Sequence, residues 1–92
     1  MSLTVTIARS GGLSGRTMAG SVPAERLSAK EKKLLEDLLS GAVRIKIDPR
    51  PATADTYQYA ITIANESASR TLWFNQMRTP PAFKSILAKV SY

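Results

Sequence analysis

The side chains that most often perform catalysis are missing or scattered in this sequence. It contains no histidine and no cysteine, so it lacks the imidazole and thiolate groups that transition-metal sites and most nucleophilic triads require. The seven aspartate and glutamate residues form no close pair that would tune one carboxyl pKa against another. Serine–lysine chemistry remains formally open. We therefore expect no enzyme, no metal site and no cofactor, and a protein that acts by binding.

One segment has the composition of a tight hairpin loop. Three glycines fall within residues 11–15, and glycine supplies the positive φ angles that a tight chain reversal needs. Gly11 and Gly12 leave the backbone bare for the close approach of a partner, and Leu13 offers an apolar side chain to a partner's pocket. The alternative is an ordinary hairpin turn with Leu13 folded back onto the core, which the residues alone favour.

Four segments alternate apolar and polar residues with the period of two that a half-buried strand requires. Residues 3–10 and 16–22 flank the glycine loop and predict a β-hairpin. The second of these strands has the weaker pattern, which is typical of a sheet edge. Residues 57–64 and 70–75 predict a second hairpin.

A single tryptophan stands out in the fourth predicted strand. Leu72 and Phe74 point to one face of that strand, so Trp73 points to the other. Burial is the commoner outcome for tryptophan, and we expect it here if small residues leave room. The alternative is an exposed side chain that contacts a partner.

Two segments carry helix signals. Ser28 and Glu31 have the spacing of a capping box, in which a hydroxyl and a carboxylate each accept an unpaired backbone N–H at the helix start. Gly41 supplies a left-handed stop. In the second segment Thr79 precedes two prolines and fits an N-cap, and apolar residues then recur with helical spacing as far as Val90.

These elements follow the order strand, strand, helix, strand, strand, helix. The simplest way to bury two apolar helix stripes and four alternating strands is an α+β fold, with one four-stranded antiparallel sheet and both helices packed on one face. At 92 residues the chain has room for one core. We expect a single domain over residues 1–92 whose other sheet face is open to water.

The net charge of +6 suggests nucleic-acid binding, because phosphate neutralisation supplies most non-specific affinity. However, the excess of positive charge is spread along the chain, with +2 over residues 1–27 and +4 over residues 42–92. The predicted helix between these segments has no net charge. A nucleic-acid module would use the cations Arg16, Arg44, Lys46, Arg70 and Arg78 with the aromatic residues Tyr57, Tyr59 or Trp73. The tyrosines fall on the predicted core face, so this function is the less favoured alternative.

No segment resembles an export signal, and no stretch reaches the roughly 18 apolar residues of a membrane span. We therefore expect a cytoplasmic protein without a membrane partner. A third interpretation is a structural interaction domain, or a dimer joined along the second strand as an open edge.

Four segments, in this order and spacing, carry a resemblance to a known family. ARSGGLSG at residues 8–15 is similar to an R-S-G-G-F-x-G hairpin near the N-terminus, and DTYQYAITI at residues 55–63 is similar to D-x-f-x-Y-x-i-t-v. A capped leucine-rich helix at residues 27–39 lies between them, and PAFKSIL at residues 81–87 corresponds to a C-terminal P-x-x-L-x-x-L-L helix. The chain thus resembles emfourin-like proteins, small bacterial inhibitors of thermolysin-like zinc metalloproteases such as protealysin.

The resemblance implies an α+β protein of the bacterial cytoplasm that inhibits a thermolysin-like zinc metalloprotease without any catalytic residue. The hairpin is then expected to occlude the active-site cleft, and the residues expected to contact the protease are Arg9, Ser10, Gly11, Gly12, Leu13 and Gly15. Leu13 stands where the family more often has phenylalanine, which leaves open a different target protease or none. We expect a monomer or a weak dimer.

Overall fold

The computed structural model describes residues 3–11, 17–45 and 56–90. The main elements within them are β1 (Thr4–Gly11), β2 (Met18–Val22), α1 (Ala29–Ser40), β3 (Tyr57–Ala64), β4 (Ser69–Asn75) and α2 (Pro81–Leu87). Short 3₁₀ turns at Ala24–Arg26 and Gln76–Arg78 precede α1 and α2. The order of elements is the one that the sequence predicted.

The four strands form one antiparallel sheet in the spatial order β2-β1-β3-β4. This confirms the predicted α+β fold and places β2 at an edge, as its weak pattern indicated. β1 is held on both sides, since Val5 pairs with Val22 of β2 and with Ile63 of β3. The first strand of the β1–β2 hairpin is therefore a central strand of the sheet.

The apolar core lies between the two helices and one face of the sheet. Its buried members are Leu3, Val5, Ile7, Val22, Leu27, Leu35, Leu38, Ile61, Ile63, Phe74, Phe83 and Ile86. Phe74 of β4 and Phe83 of α2 stack within it, with ring centroids 5.8 Å apart and ring planes 3° from parallel. The alternation of β1, β3 and β4 thus delivers one apolar face to both helices, as predicted.

α1 begins and ends where its sequence predicted. The Glu31 backbone N–H donates to Ser28 Oγ at 3.1 Å, and the Ser28 N–H donates to Glu31 Oε1 at 2.8 Å, which completes the capping box. Gly41 follows the last turn with a φ of 83°, and its N–H donates to the Leu38 carbonyl. The left-handed stop therefore forms as expected.

α2 differs from its predicted form at both ends. It begins at Pro81, with Pro80 rather than Thr79 at the N-cap position. A residue that precedes proline is pushed out of the helical region, and Thr79 and Pro80 keep extended ψ angles of 122° and 137°. The Thr79 hydroxyl donates instead to a carbonyl of the preceding 3₁₀ turn at 2.9 Å. The helix ends at Leu87, so Val90 packs on the core from the turn that follows.

One acidic side chain ties the two helices together. Glu31, in the first turn of α1, is only 9% exposed. Its carboxylate accepts a hydrogen bond from the Ser85 hydroxyl at 2.7 Å and pairs with the Lys89 ammonium. The bonds from Lys89 and from the Ser28 N–H lower the pKa of Glu31 from 4.5 to about 2, and they outweigh the opposing effect of burial. Glu31 is therefore ionised at neutral pH.

Candidate functional site

The predicted binding hairpin leaves the sheet between β1 and β2. Its base is described: Arg9, Ser10 and Gly11 are the last three residues of β1, and Arg9 pairs with Met18, the first residue of β2. The remaining predicted contact residues lie outside the described residues: Gly12, Leu13 and Gly15. The structure thus brings together the first half of the predicted site.

Gly11 is required by the backbone at the base of the hairpin. Its φ is +90°, in a region that other L-residues rarely adopt. A Cβ at this position would lie 3.0 Å from the carbonyl oxygen of Thr56, which immediately precedes β3. The bare backbone that was predicted to admit a partner is already used by the chain's own neighbouring strand. Gly11 therefore fixes the point at which the hairpin turns away from β3.

Arg9 is held at the end of the sheet, on the face that bears the helices. Its guanidinium carbon lies 4.4 Å from the centroid of the Tyr57 ring, which is a cation–π contact, and its Nη2 donates to Met18 Sδ at 3.1 Å. These contacts link β1, β2 and β3. Arg9 thereby braces three strands and places a positive charge at the base of the hairpin, while Ser10 points to the opposite face.

Three large apolar side chains are exposed among the described residues: Met18 at 43%, Trp73 at 61% and Met77 at 75%. The expected burial of Trp73 is wrong, because β4 directs this side chain away from both helices and leaves it exposed. Met77 lies in the 3₁₀ turn after β4. That turn is tied to the hairpin base, since the Tyr57 N–H donates to Gln76 Oε1 at 3.3 Å. Neither methionine is predictable as exposed from the sequence, because exposure depends on packing between distant segments.

The open face of the sheet carries no charged residue at any described position. The strand alternation and registers place the following residues on it: Thr4, Thr6, Ala8, Ser10, Ala19, Ser21, Gln58, Ala60, Thr62, Ala64, Ser69, Thr71, Trp73 and Asn75. Small and neutral side chains predominate, and Trp73 is the one large apolar member of this set. Thr62 and Thr71 share a hydrogen bond of 3.0 Å between their hydroxyls.

Four of these residues form a row across the sheet. Ala19 of β2, Ala8 of β1, Ala60 of β3 and Trp73 of β4 are paired in register, and we call them the tryptophan row. Strands are about 4.8 Å apart, so the row is about 14 Å long. The neighbouring rows carry longer side chains, threonines on one side and Gln58 on the other. The alanine side chains are therefore shorter than those of the neighbouring rows, and Trp73 stands at one end of their row.

Comparison with known proteins identifies the family. The model of the Emfourin family matches residues 7–91. This chain belongs to the emfourin family. The match runs from β1 through α2 and so includes the hairpin, the tryptophan row and both helices. Comparison of this emfourin-family chain with curated proteins and with solved structures gave no match.

Membership of the emfourin family agrees with the resemblance carried by the sequence motifs, and it is consistent with a protease inhibitor rather than an enzyme. None of the described helices of this emfourin is long and apolar enough to cross a membrane. Across residues 3–11, 17–45 and 56–90, no three acidic side chains come together in a group able to hold a metal ion.

The residues of the nucleic-acid alternative are not gathered on one face of this emfourin. Tyr59 packs against a phenylalanine of β4 on the helix-bearing side, with ring centroids 5.7 Å apart, whereas Trp73 points from the other side. Arg70 donates to a carbonyl of α1 at 3.1 Å, also on the helix-bearing side. Two of the proposed cations lie outside the described residues: Arg16 and Lys46. The described aromatic residues of this alternative thus lie on both faces of the sheet, and Arg70 is bound to α1.

Proposed function

We propose that this emfourin-family chain is a protein inhibitor of a thermolysin-like zinc metalloprotease, and that its glycine-rich hairpin occludes the active-site cleft. The observation that carries the proposal is the family match over residues 7–91, which includes the whole hairpin and its base. The R-S-G-G motif at residues 9–12 supports it. The chain would act as one inhibitory domain over residues 1–92.

Inhibition by this chain rests on shape rather than on metal capture. Zinc in proteins is bound mainly by histidine, cysteine and carboxylate side chains. This sequence has no histidine and no cysteine, so carboxylates are the only one of these ligands that it can offer to the catalytic zinc. The chain instead fills or covers the cleft and excludes the substrate. No catalytic residue of its own is needed for this action.

The base of the hairpin is suited to holding a projecting loop in one place. β1 is hydrogen-bonded on both sides, Gly11 has a backbone conformation that few other residues adopt, and Arg9 links three strands. Because these contacts order the base when the chain folds, less conformational entropy is lost when a partner binds. Rigid inhibitory loops in other protease complexes likewise change little on binding.

We place Leu13 in the apolar pocket that a thermolysin-like protease uses just beyond the scissile bond. Gly12 precedes Leu13 in the sequence, and a residue without a side chain allows the two backbones to approach closely. Arg9 and Ser10 then lie at the rim of the cleft, one on each face of the sheet. Arg9 favours an acidic rim, because opposite charges across an interface speed association and select partners.

The direct test is a titration of the unmodified chain against thermolysin-like proteases, beginning with any enzyme encoded beside it that carries an H-E-x-x-H motif. We expect loss of peptidase activity at near-stoichiometric inhibitor, and competition with a small hydroxamate that occupies the zinc site. A serine protease of the same concentration serves as the control and should stay fully active. Absence of inhibition of every thermolysin-like enzyme would remove this function and leave only the fold.

A further inference from the structure

Large apolar side chains are exposed at one end of the sheet, within the part of the chain that the structure describes. Met18, Trp73 and Met77 all lie toward the end from which the hairpin leaves, with Met18 on the helix-bearing face and Trp73 on the open face. The opposite end of the open face carries the small or polar residues Thr4, Ala64 and Ser69. Tryptophan and methionine are enriched in the contact surfaces of protein complexes. The asymmetry points to one contact region that includes both the hairpin and Trp73.

A continuous path of contacts joins the hairpin to the tryptophan row. Gly11 pairs with Tyr57, and the Tyr57 N–H donates to Gln76 Oε1 at 3.3 Å. Met77 follows in the same turn. Trp73 pairs with Ala60, which lies three residues along β3 from Tyr57, or about 10 Å at the usual rise of a strand. A partner seated on the hairpin is therefore within reach of Trp73.

The hairpin tip is too small to form a stable protein complex by itself. Residues 12–17 connect β1 to β2, whereas a stable interface usually involves about 20–30 residues on each side. Most of the contact must therefore come from surfaces beside the hairpin. On the helix-bearing face this position is occupied by the stacked side chains of Arg9 and Tyr57. On the open face the row nearest the hairpin is Ser10, Gln58 and Asn75, and the tryptophan row is the next one along the strands.

The chemistry of the open face favours a protein over the other occupants. Its described positions carry no charge, so it offers nothing to the phosphates of a nucleic acid. A second copy seated on it would gain little, because the face measures roughly 14 by 25 Å. This area of roughly 350 Å² is well below the roughly 800 Å² per partner of a stable interface. For a partner that already binds the hairpin, the area of the open face is added to the area buried by the hairpin.

We infer that the tryptophan row is a second contact surface for the protease that the hairpin enters. It lies against the rim of the cleft, and Trp73 is its anchoring side chain, with Ala60 and Ala8 leaving space for an apolar side chain of the rim. The inference rests on the proposed function. In this arrangement the hairpin determines where the chain binds, and the row supplies affinity and discriminates between proteases with different rims.

The first test compares inhibition constants for two substitutions on the same strand and face. Trp73→Thr should raise the inhibition constant about 10- to 100-fold, as expected when a central aromatic contact is removed. Its thermal unfolding midpoint should stay close to that of the unmodified chain, because Trp73 is 61% exposed. Ser69→Ala, at the far end of β4, is the matched control and should leave the inhibition constant unchanged.

The second test follows the tryptophan itself. The chain has one tryptophan, so biosynthetic labelling with 5-fluorotryptophan gives one ¹⁹F resonance that reports only on Trp73. Its chemical shift should differ between H₂O and D₂O in the free chain. In the complex with a thermolysin-like protease, the chemical shift of this resonance should change. The difference in chemical shift between H₂O and D₂O should then largely disappear.

The outcomes separate this inference from the proposed function. If the unmodified chain inhibits no thermolysin-like protease, both are overturned. If it inhibits but Trp73→Thr matches Ser69→Ala and the ¹⁹F resonance keeps its solvent effect, only the second contact surface is overturned and the hairpin mechanism stands. A ¹⁹F shift that depends on the concentration of the chain alone would assign the row to a second copy and also overturn the inference.

Discussion

Two glycines of this chain have the same unusual backbone conformation in different surroundings. Gly11 has a φ of +90° and Gly41 a φ of +83°. A Cβ at Gly11 would lie 3.0 Å from the Thr56 carbonyl oxygen, whereas a Cβ at Gly41 would meet no atom within 4 Å. The two positions therefore share the cost of a left-handed residue and differ in steric crowding.

This contrast gives a paired prediction on stability. Gly41→Ala should lower the free energy of unfolding by about 1–2 kcal/mol, the usual cost of a left-handed residue with a Cβ. Gly11→Ala should cost about 1–3 kcal/mol more, because β3 must also move away from β1. Urea titration of both variants measures the difference. Equal losses would show that β3 moves without cost and that Gly11 does not fix the base of the hairpin.

Substitutions of Leu13 should change inhibition more than stability. Complete burial of a leucine contributes about 1.5–3 kcal/mol, so Leu13→Ala should weaken inhibition about 10- to 150-fold. Leu13→Phe should be tolerated, because the family resemblance places phenylalanine there. Inhibition constants and thermal unfolding on the same samples separate binding from folding. Unchanged inhibition by Leu13→Ala would move the main contact away from the hairpin tip.

At the scale of elements, Glu31 holds α1 against α2. It completes the cap of α1 and also accepts bonds from Ser85 and Lys89. Glu31→Gln keeps the shape of the side chain but removes its charge, so it should lower the free energy of unfolding at pH 7 by about 1–3 kcal/mol. Glu36→Gln, on an exposed position of the same helix, is the control and should change stability little. Equal effects in urea titration would contradict the role of Glu31.

The same carboxylate predicts a pH dependence. The pKa of Glu31 is lowered from 4.5 to about 2 in the folded chain, so the ionised form favours folding. Its contribution is complete above about pH 4.5 and is lost as the pH falls toward 2. The stability gap between the unmodified chain and Glu31→Gln should therefore close over this interval. A gap that stays constant from pH 6 to pH 2 would mean that the charge of Glu31 does not contribute.

Local signals in the sequence predicted most of these elements. The spacing of Ser28 and Glu31 was sufficient for the cap of α1, because both partners lie in one turn. The bonds of Glu31 to α2 were not predictable, since they join residues more than fifty positions apart. The start of α2 was misplaced at Thr79, because the effect of two consecutive prolines on the preceding residue outweighs the capping tendency of threonine.

At the scale of the molecule, one side holds the core and the other is a neutral sheet face. The sequence indicated which side Trp73 would take, since strand alternation is local. Whether that side would be covered depends on where both helices pack, which is not a local property of the sequence. The average tendency of tryptophan to be buried therefore predicted burial of Trp73, whereas Trp73 is exposed. The sequence was sufficient to select Arg9, Ser10 and Gly11 as candidate residues. The steric contact between Gly11 and the start of β3 was not predictable, because it depends on how β3 packs beside β1.

The absence of histidine and cysteine from the whole sequence gives a prediction about metal removal. The thermal unfolding midpoint of the isolated chain should be the same with and without EDTA, because no usual ligand set for a structural transition metal exists. Differential scanning fluorimetry measures it, with a zinc protein as the positive control. A decrease of several degrees would reveal a site built from oxygen ligands alone.

The central position of β1 has a consequence for the fate of the chain inside a protease. A cut within residues 12–16 would separate the segment that contains β1 from the rest of the chain. That piece would remain clamped, because β1 pairs with β2 at five positions and with β3 at eight, and Val5 and Ile7 are each 1% exposed. The described residues on either side of the cut, Gly11 and Thr17, would stay attached to the same sheet through the β1–β2 pairing. Cleavage between β1 and β2 would therefore leave the sheet and its core in place.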